Sequence, residues 1–197
     1  MLGALLAFGP HVAADEALAL IRARLDAQPR LRADFEQIKR LADLERPVVA
    51  NGRLLVWREA GVLWQIEQPV KMQIALREDV TIQVDASGRR KTQQATSDAA
   101  AARLGRVLAA LLHGDTAGLE QWFEIAARVE ARGWTIALTP RRGPMAAFLK
   151  SMYVSGDKYL QAVSIEEVNG DSTSITFRNH RDAAALSSEE AGLLGVP

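Results

Sequence analysis

The segment NGRLLVWREAGVLWQIEQP, from Asn51 to Pro69, has the pattern of two alternating strands joined by a tight turn. Side chains alternate between the two sides of a strand, so one side of this predicted hairpin carries Leu54, Val56, Arg58, Val62, Trp64 and Ile66. The other side is also partly apolar, with Leu55, Trp57 and Leu63. A sheet that is wet on one side normally alternates more cleanly. We therefore expect the hairpin to cover a core on its inner side and to carry exposed apolar side chains on its outer side.

The composition is that of a globular protein without a charged partner. Among 197 residues, 24 basic and 24 acidic side chains give a formal net charge of zero, and basic pairs such as Arg141-Arg142 are scattered. This distribution offers no basic patch for nucleic acid. The length suits one domain with a substantial core, so we expect a single domain over residues 15–197 and a monomer.

The first 14 residues, MLGALLAFGPHVAA, contain no Asp, Glu, Lys or Arg and end in small residues just before Asp15. Small residues at the last and third-last positions are typical of a signal-peptidase site. We interpret residues 1–14 as the tail of a secretory signal peptide that is cleaved after Ala14. The alternative is a short apolar N-terminal arm. The run is too short to span a bilayer as a helix.

The remaining chain has the pattern of an antiparallel sheet with two helices. Asp15 to Ala27 has apolar residues at helical spacing, and so does Ser97 to Gly114, whose stripe contains Leu104, Val107, Leu108, Leu111 and Leu112. Pro144 to Leu149 suits one helical turn. Besides the central hairpin, the predicted strands are Leu31–Leu41, Lys71–Arg77, Val80–Asp85, Arg89–Gln94, Trp122–Ala131, Gly133–Pro140, Lys150–Ser155, Tyr159–Val168 and Ser172–Asn179. Consecutive strands without intervening helices indicate an antiparallel meander.

About ten such strands make a curved sheet whose concave face needs a cover. An uncovered face would expose more apolar area than a monomer tolerates, and a fully closed barrel would need no cover. The helix predicted from Ser97 to Gly114 is the natural cover. The sequence therefore predicts a mainly β (α+β) fold, an incomplete antiparallel β-barrel with a helical lid.

Several short motifs resemble those of the LolA-like family of periplasmic outer-membrane lipoprotein carriers. They are Phe35-x-Gln37, G-x-L-x-V-x-R from Gly52 to Arg58, W-x-x-x-Q-P from Trp64 to Pro69, and L-x-x-L-L-x-G-D from Leu108 to Asp115. The resemblance covers about Asp15 to Asn179 and implies the same lidded half-barrel, a periplasmic location and a carrier role. The C-terminal extension typical of LolA is not clear in Ala183 to Pro197, which leaves the cargo open.

Arg58 is the polar residue that stands out in this pattern. By parity it follows Leu54 and Val56 onto the concave face, where a guanidinium with five donors needs acceptors. In the family that this chain resembles, an arginine at this place latches the lid by hydrogen bonds to helix-end carbonyls, and the resemblance gives that role to Arg58. The family commonly has proline after this arginine, whereas here Glu59 follows. The alternative is an arginine that points to solvent beside Glu59.

Enzymatic chemistry has weak support in the sequence. His11, His113 and His180 are isolated and there is no cysteine, so no cluster has the spacing of metal ligands. Serine in G-x-S-x-G and glycine-rich phosphate loops are absent. Carboxylates such as Glu166-Glu167 fall mostly at turns and outward strand positions. We expect a non-enzymatic protein with no catalytic residue, metal or cofactor.

The patterns and the resemblance together predict a soluble periplasmic carrier that holds the acyl chains of a lipoprotein or another lipid and shuttles it toward the outer membrane. An inner-membrane transporter as donor and an outer-membrane acceptor are implied. The alternatives are an accessory carrier for a dedicated exporter of acyl or polyene lipids, or a small enzyme or ligand-sensing module on the same fold.

The predicted site is the wall of the cavity. All four tryptophans, Trp57, Trp64, Trp122 and Trp134, fall in predicted strands and are expected to pack in the core, with Trp64 and Trp134 in the wall. By strand parity the lipid-binding residues, together with Arg58, are Phe35, Leu54, Val56, Trp64, Ile66, Ile74, Ile82, Phe123, Trp134 and Ile136 from the sheet and Leu104, Leu108 and Leu111 from the lid.

Overall fold

The computed structural model describes residues 14–78, 80–94, 107, 109–111 and 117–197. Two helices, α1 (Ala14–Asp26) and α2 (Ser188–Leu194), flank the strands, and a short 3-10 turn spans Ala117–Leu119. The strands are β1 (Arg30–Arg40), β2 (Val48–Trp57), β3 (Gly61–Gln68), β4 (Met72–Leu76), β5 (Val80–Asp85), β6 (Arg90–Gln94), β7 (Phe123–Glu130), β8 (Gly133–Pro140), β9 (Leu149–Gly156), β10 (Leu160–Glu167) and β11 (Ser172–Asp182).

The strands form one antiparallel sheet in the order β6-β5-β4-β3-β2-β1-β11-β10-β9-β8-β7. Each half of the sheet is a meander, and the two halves meet where β1 pairs with β11. Strands β6 and β7 are the two ends of this order, so the sheet is not closed into a barrel. The predicted fold class, an incomplete antiparallel barrel, is confirmed, with eleven strands in place of about ten. At Pro144 to Leu149 the carbonyl of Met145 accepts from the amide of Leu149 at 3.0 Å, in a single turn before β9.

The sheet buries apolar side chains on both sides, in two separate clusters. We call the inner side the one that carries Leu54 and Val56, and the outer side the one that carries Leu55 and Trp57. The inner cluster contains side chains from strands of both halves and the buried stripe of α1, which is Ala17, Leu18, Ile21 and Leu25. The helix predicted over Asp15 to Ala27 therefore packs against the concave side of the sheet. Among the described residues no helix is long and apolar enough to cross a bilayer.

The outer cluster explains why the central hairpin is apolar on both sides. The expectation that Leu55, Trp57 and Leu63 are exposed is wrong, because all three are buried in this cluster. The cluster contains Leu55, Trp57, Leu63, Ala75, Val80, Ile82, Ala183, Leu193 and Leu194. The last two belong to α2, which covers this part of the outer side. A capping box begins the helix: the Ser187 hydroxyl accepts from the amide of Glu190, and the Glu190 carboxylate accepts from the amide of Ser187. Gly195 ends it in the left-handed conformation, with φ of 70°.

One ion pair ties α2 to the sheet. The guanidinium of Arg32 donates to both carboxylate oxygens of Glu190, at 2.6 and 2.9 Å, and also to the carbonyl of Ala185 at 2.9 Å. The Glu190 side chain is only 9% exposed. Because Arg32 and Ser187 stabilise the charged carboxylate, the pKa of Glu190 falls to about 2.

Ile82 was predicted to lie on the inner side of the sheet, and this prediction is wrong. Ile82 pairs with Ala75, Ala75 with Leu63, and Leu63 with Leu55, so Ile82 lies on the outer side and belongs to the outer cluster. The prediction assumed that even-numbered residues of β4 and β5 share a side. Leu76 instead pairs with Thr81, which places even residues of one strand beside odd residues of the other. An apolar outer position is stable there because α2 covers it.

Gly52 begins the G-x-L-x-V-x-R motif at a register irregularity between β2 and β3. A Cβ atom at this position would lie 1.9 Å from the carbonyl oxygen of Gln65. Since backbone atoms cannot move aside as a flexible side chain can, the close approach of the two strands requires glycine here.

Candidate functional site

The inner side of the sheet brings most of the predicted wall residues together. Seven of them are buried in the inner cluster: Phe35, Leu54, Val56, Trp64, Phe123, Trp134 and Ile136. Ile66 and Ile74 are half-buried and pack against it, and Leu111 is buried within it. Ile82 lies on the other side, and Leu104 and Leu108 lie outside the described residues. Whether these side chains bind lipid stays a prediction.

Aromatic rings form the centre of this face. The ring centroids of Phe35 and Trp64 are 4.8 Å apart with planes tilted by 52°, and Phe177 meets Trp64 edge-on at 5.8 Å. Such tilted contacts are favourable for aromatic pairs. Phe177 was absent from the predicted wall, although the alternation of Ile175 and Phe177 along β11 was a signal for it. The predicted wall also lacked Leu138, Met152, Val154, Val163, Ile165 and Ile175, which lie in the same cluster.

Two segments contribute side chains that cover the concave face. Helix α1 contributes its buried stripe, and Val107 and Leu111 belong to the same cluster, with 3% and 1% of their surface exposed. Residues 107 and 109–111 are helical, and their four-residue spacing puts Val107 and Leu111 on one face. This agrees with the stripe predicted for the lid helix. The rest of the predicted lid, including Leu104 and Leu108, lies outside the described residues.

Polar groups are sparse on this face. Among the described residues, Thr173 and Glu190 are the buried polar side chains, and Glu190 belongs to α2 on the outer side. Groups of three or more potential metal ligands do not occur in the described part of the chain. The carboxyl groups with shifted pKa values are elsewhere: hydrogen bonds from Ser87 and Arg89 lower the pKa of Asp85 to about 2 in an exposed turn, and backbone hydrogen bonding lowers that of Glu59. These shifts belong to turns, so they do not mark an acid–base pair inside the sheet.

Arg58 lies in the turn after β2 and holds the end of a helix. Its guanidinium donates to the carbonyl of Leu25 at 3.0 Å and to the carboxylate of Asp26 at 2.5 Å. Both acceptors belong to the last turn of α1, where carbonyls lack partners within the helix and the helix dipole favours a cation. Arg58 therefore fixes α1 against the sheet. Its predicted contact with the lid falls on residues outside the described part of the chain. Glu59 pairs instead with Arg30, at 3.4 Å.

The tryptophans have three different surroundings. Trp64 and Trp134 are in the inner cluster, and the indole of Trp134 donates to the carbonyl of Asp157 at 2.8 Å. Trp57 is in the outer cluster, under the guanidinium of Arg30. The expectation that Trp122 packs in the core is wrong: it precedes β7 in a turn and is 45% exposed.

An open antiparallel sheet curved around an apolar, helix-covered face defines the class of this protein as a half-barrel. The sequence model of the family described as outer membrane lipoprotein carrier protein LolA matches residues 29–190, which include every strand of the sheet. The chain belongs to the LolA family. The resemblance of the sequence motifs to the LolA-like family is thereby confirmed.

Solved structures with a similar fold come from several bacteria. A putative outer membrane lipoprotein-sorting protein domain from Vibrio parahaemolyticus has a TM-score of 0.51 at 11% identity, covering 90% of this chain and 96% of that one. The structure of the MucA/MucB complex from Pseudomonas aeruginosa contains a chain with a TM-score of 0.50 at 14% identity, covering 89% of this chain and 60% of that one. A LolA superfamily protein from Nitrosomonas europaea has a TM-score of 0.49 at 10% identity, with 90% and 96% covered. No curated protein matches by sequence. At these identities the likeness concerns the fold alone.

Proposed function

We propose that this protein carries lipid by binding acyl chains of a lipoprotein or another lipid against the inner side of its sheet. The observation that supports this most directly is the chemistry of that side, where the buried cluster is wholly apolar and Thr173 is the one buried polar neighbour among the described residues. A surface of this kind offers burial to a hydrocarbon chain and few groups that could orient a polar substrate.

The free energy of such binding comes from burial. Each CH₂ moved from water to an apolar site contributes about 0.8 kcal/mol, so one long acyl chain gives on the order of 10 kcal/mol. Side chains on the inner face pack against one another in this structure, and the rings of Phe35 and Trp64 are in contact. Cargo therefore enters when the cover that includes Val107 and Leu111 moves outward. Return of the cover to its packed position opposes binding and helps release.

Family membership supports the remaining parts of the proposal. A LolA-like carrier moves its cargo through the periplasm, from an inner-membrane transporter that donates it to an acceptor at the outer membrane. We place this chain in that role as one carrier domain over residues 15–197, acting as a monomer after removal of a signal peptide.

Mass spectrometry of native protein tests the cargo directly. The protein is purified from the periplasm of its native host without detergent, and its organic extract is analysed. We expect acyl lipid or acylated peptide in amounts comparable with the protein. Acylated peptide identifies a lipoprotein carrier, whereas free acyl or polyene lipid identifies a carrier that serves a dedicated exporter. An extract without lipid, or one with a polar metabolite only, would contradict the proposal.

A matched pair of substitutions tests the face that binds. Ile74 and Val84 are both half-buried and lie on adjacent strands, but Ile74 packs against the inner cluster and Val84 against the outer one. Ile74→Asn puts an amide into the proposed site, where it has few partners, and we expect about tenfold weaker binding of a fluorescent fatty acid. Val84→Asn makes the same type of change on the other side, with one methylene fewer removed, and should leave this affinity within about twofold. Equal effects would place the site elsewhere.

A further inference from the structure

Exposed apolar side chains are concentrated at one end of the sheet. Eight large hydrophobic residues are exposed in the described part of the chain. Two of these lie elsewhere, Leu20 on α1 and Tyr153 on β9. The other six, Leu44, Val48, Val49, Val70, Trp122 and Val168, belong to segments that connect strands or flank their ends, and we call them the apolar rim.

The register shows that these segments share one end. Val48 pairs with Lys39 near the end of β1, and the neighbouring Arg40 pairs with Ser172 at the start of β11. The loop that carries Leu44 touches the turn after Val168, because the amide of Ala42 donates to Asp171 at 2.9 Å.

The other members of the apolar rim are placed in the same way. Val70 follows Gln68, which pairs with Asn51 of β2. On the far side, the amide of Val168 donates to Phe148 in the loop between β8 and β9, and Arg141 in that loop donates to the carbonyl of Trp122 at 2.8 Å. The six side chains thus lie at the same end of the strands, around one rim of the half-barrel.

The opposite end of the sheet differs in kind. Its turns contain the ion pairs of Arg58 with Asp26 and of Arg30 with Glu59. Among the described residues it has none of the exposed large hydrophobic side chains. Scattered exposed hydrophobic residues are normal on a protein, but the concentration of six of the eight at one end marks a surface that meets another apolar phase.

Exposed cations accompany the apolar rim. Arg46 lies between Leu44 and Val48 in sequence, Lys71 follows Val70, and Arg142 is in the loop that bonds to Trp122. Two carboxylates at this end, Glu167 and Asp171, are engaged by Lys39. Asp43, Glu45 and Glu120 are also exposed there, so the electrostatic attraction is modest and the apolar contact must contribute most. Tryptophan and aliphatic side chains among cations are the composition of a surface that binds anionic lipid headgroups.

We propose that the apolar rim binds the surface of an anionic phospholipid membrane, with Val70 and Trp122 inserted among the headgroups and Arg46, Lys71 and Arg142 near the phosphates. This contact is separate from the acyl-binding face and places one end of the half-barrel on the bilayer. The membrane surface is then a binding partner of the protein that is distinct from its acyl cargo.

Vesicle flotation with the full chain tests this binding. The wild-type protein should float with vesicles of phosphatidylcholine and phosphatidylglycerol, and more weakly with phosphatidylcholine alone or at high salt. Val70→Asp should weaken binding about tenfold, because an inserted methyl pair is replaced by a charge. Tyr153→Asp, at a similarly exposed aromatic site away from the apolar rim, should not weaken binding. Arg142→Glu should weaken binding, whereas Arg132→Glu in the turn at the opposite end should not.

Fluorescence gives a second measurement. Trp122 is the exposed tryptophan, while Trp57, Trp64 and Trp134 are buried. Brominated anionic lipid should therefore quench wild-type emission, and Trp122→Phe should lose that quenching while keeping its native circular dichroism. Absence of flotation, equal flotation of the Val70 and Tyr153 variants, or capture only by a membrane protein would each overturn the proposal. Binding of a fluorescent fatty acid by Val70→Asp is expected to stay normal, so loss of rim binding and loss of the carrier function are distinguishable.

Discussion

Neutralising Glu190 tests how α2 is held on the outer side of the sheet. In Glu190→Gln the side chain keeps its shape but loses the charge that meets Arg32 through two hydrogen bonds of 2.6 and 2.9 Å. Hydrogen bonds to charged groups contribute about 1.5–3 kcal/mol, and a glutamine still accepts one of the two. The Arg32 side chain is 24% exposed, so water recovers part of the loss. We expect docking of α2 to weaken by about 2 kcal/mol, or about 30-fold.

Hydrogen exchange measures this docking without requiring global unfolding. A seven-residue helix is not stable alone, so the amides of α2 exchange when it leaves the sheet. They should exchange about 30-fold faster in Glu190→Gln than in the wild type. Glu189→Gln is the matched control, because Glu189 is exposed and, among the described residues, accepts from the side-chain amide of Gln73. Unchanged exchange in the Glu190 variant, or the same change in both variants, would refute the importance of this ion pair.

The pH dependence follows from the pKa of Glu190, which lies near 2 in the folded protein against an ordinary value of 4.5. A lowered pKa means that the carboxylate stabilises docking fully above pH 4.5 and loses that contribution as the pH falls toward 2. The wild type should therefore approach Glu190→Gln in this window. A difference between the two that is the same at pH 7 and pH 3 would contradict the assignment.

Three further outcomes are expected. Arg58→Leu should loosen α1 and increase binding of a fluorescent apolar probe, as measured by probe titration. Asp26→Asn should have the same effect if Arg58 acts through α1 alone. A larger effect of Arg58→Leu would indicate that Arg58 also latches the lid. Gly52→Ala should lower the free energy of unfolding by several kcal/mol because of its close approach to the facing backbone, whereas Gly192→Ala, at an open helical position, should be neutral or slightly stabilising in urea titrations. Intact mass of the periplasmic form should correspond to a chain that begins at Asp15, and a retained leader would contradict the predicted cleavage.

The fold was predictable from sequence where alternation and turns agree. Leu54, Trp64 and Ile74 pair directly with one another across β2, β3 and β4, as their parity predicted. The register failed at Ile82 because the connection from β4 to β5 changes the parity, and connection geometry has no signal in alternation alone. When a strand is apolar on both faces, its sequence alone does not show which face is the inner one.

The outer side was harder to predict because its cover comes from the far end of the chain. The apolar residues Leu55 and Leu63 showed that the outer side of the hairpin is unusually apolar. The C-terminal segment that forms α2 was not recognised as the element that covers it. Its capping box, Ser187 with Glu190 three residues later, was the available signal. Arg58 was expected to meet carbonyls at the end of the lid helix. Among the described residues, the helix-end carbonyl that it meets is Leu25 of α1, and sequence spacing could not distinguish the two helices.

The seam between β1 and β11 has a consequence for folding. Nearly every strand pairs with its neighbour in the chain, but Asp34 and Asn179, 145 residues apart, are joined at 2.8 Å across the seam. Hairpins close quickly because their loops are short, whereas a single distant pairing carries a loop-closure entropy that grows with the logarithm of the loop length. We therefore expect the two meanders to form independently. Pairing of β1 with β11 should then be the rate-limiting step of folding. Residues of the seam should control the refolding rate, while those of the outer hairpins should mainly control unfolding.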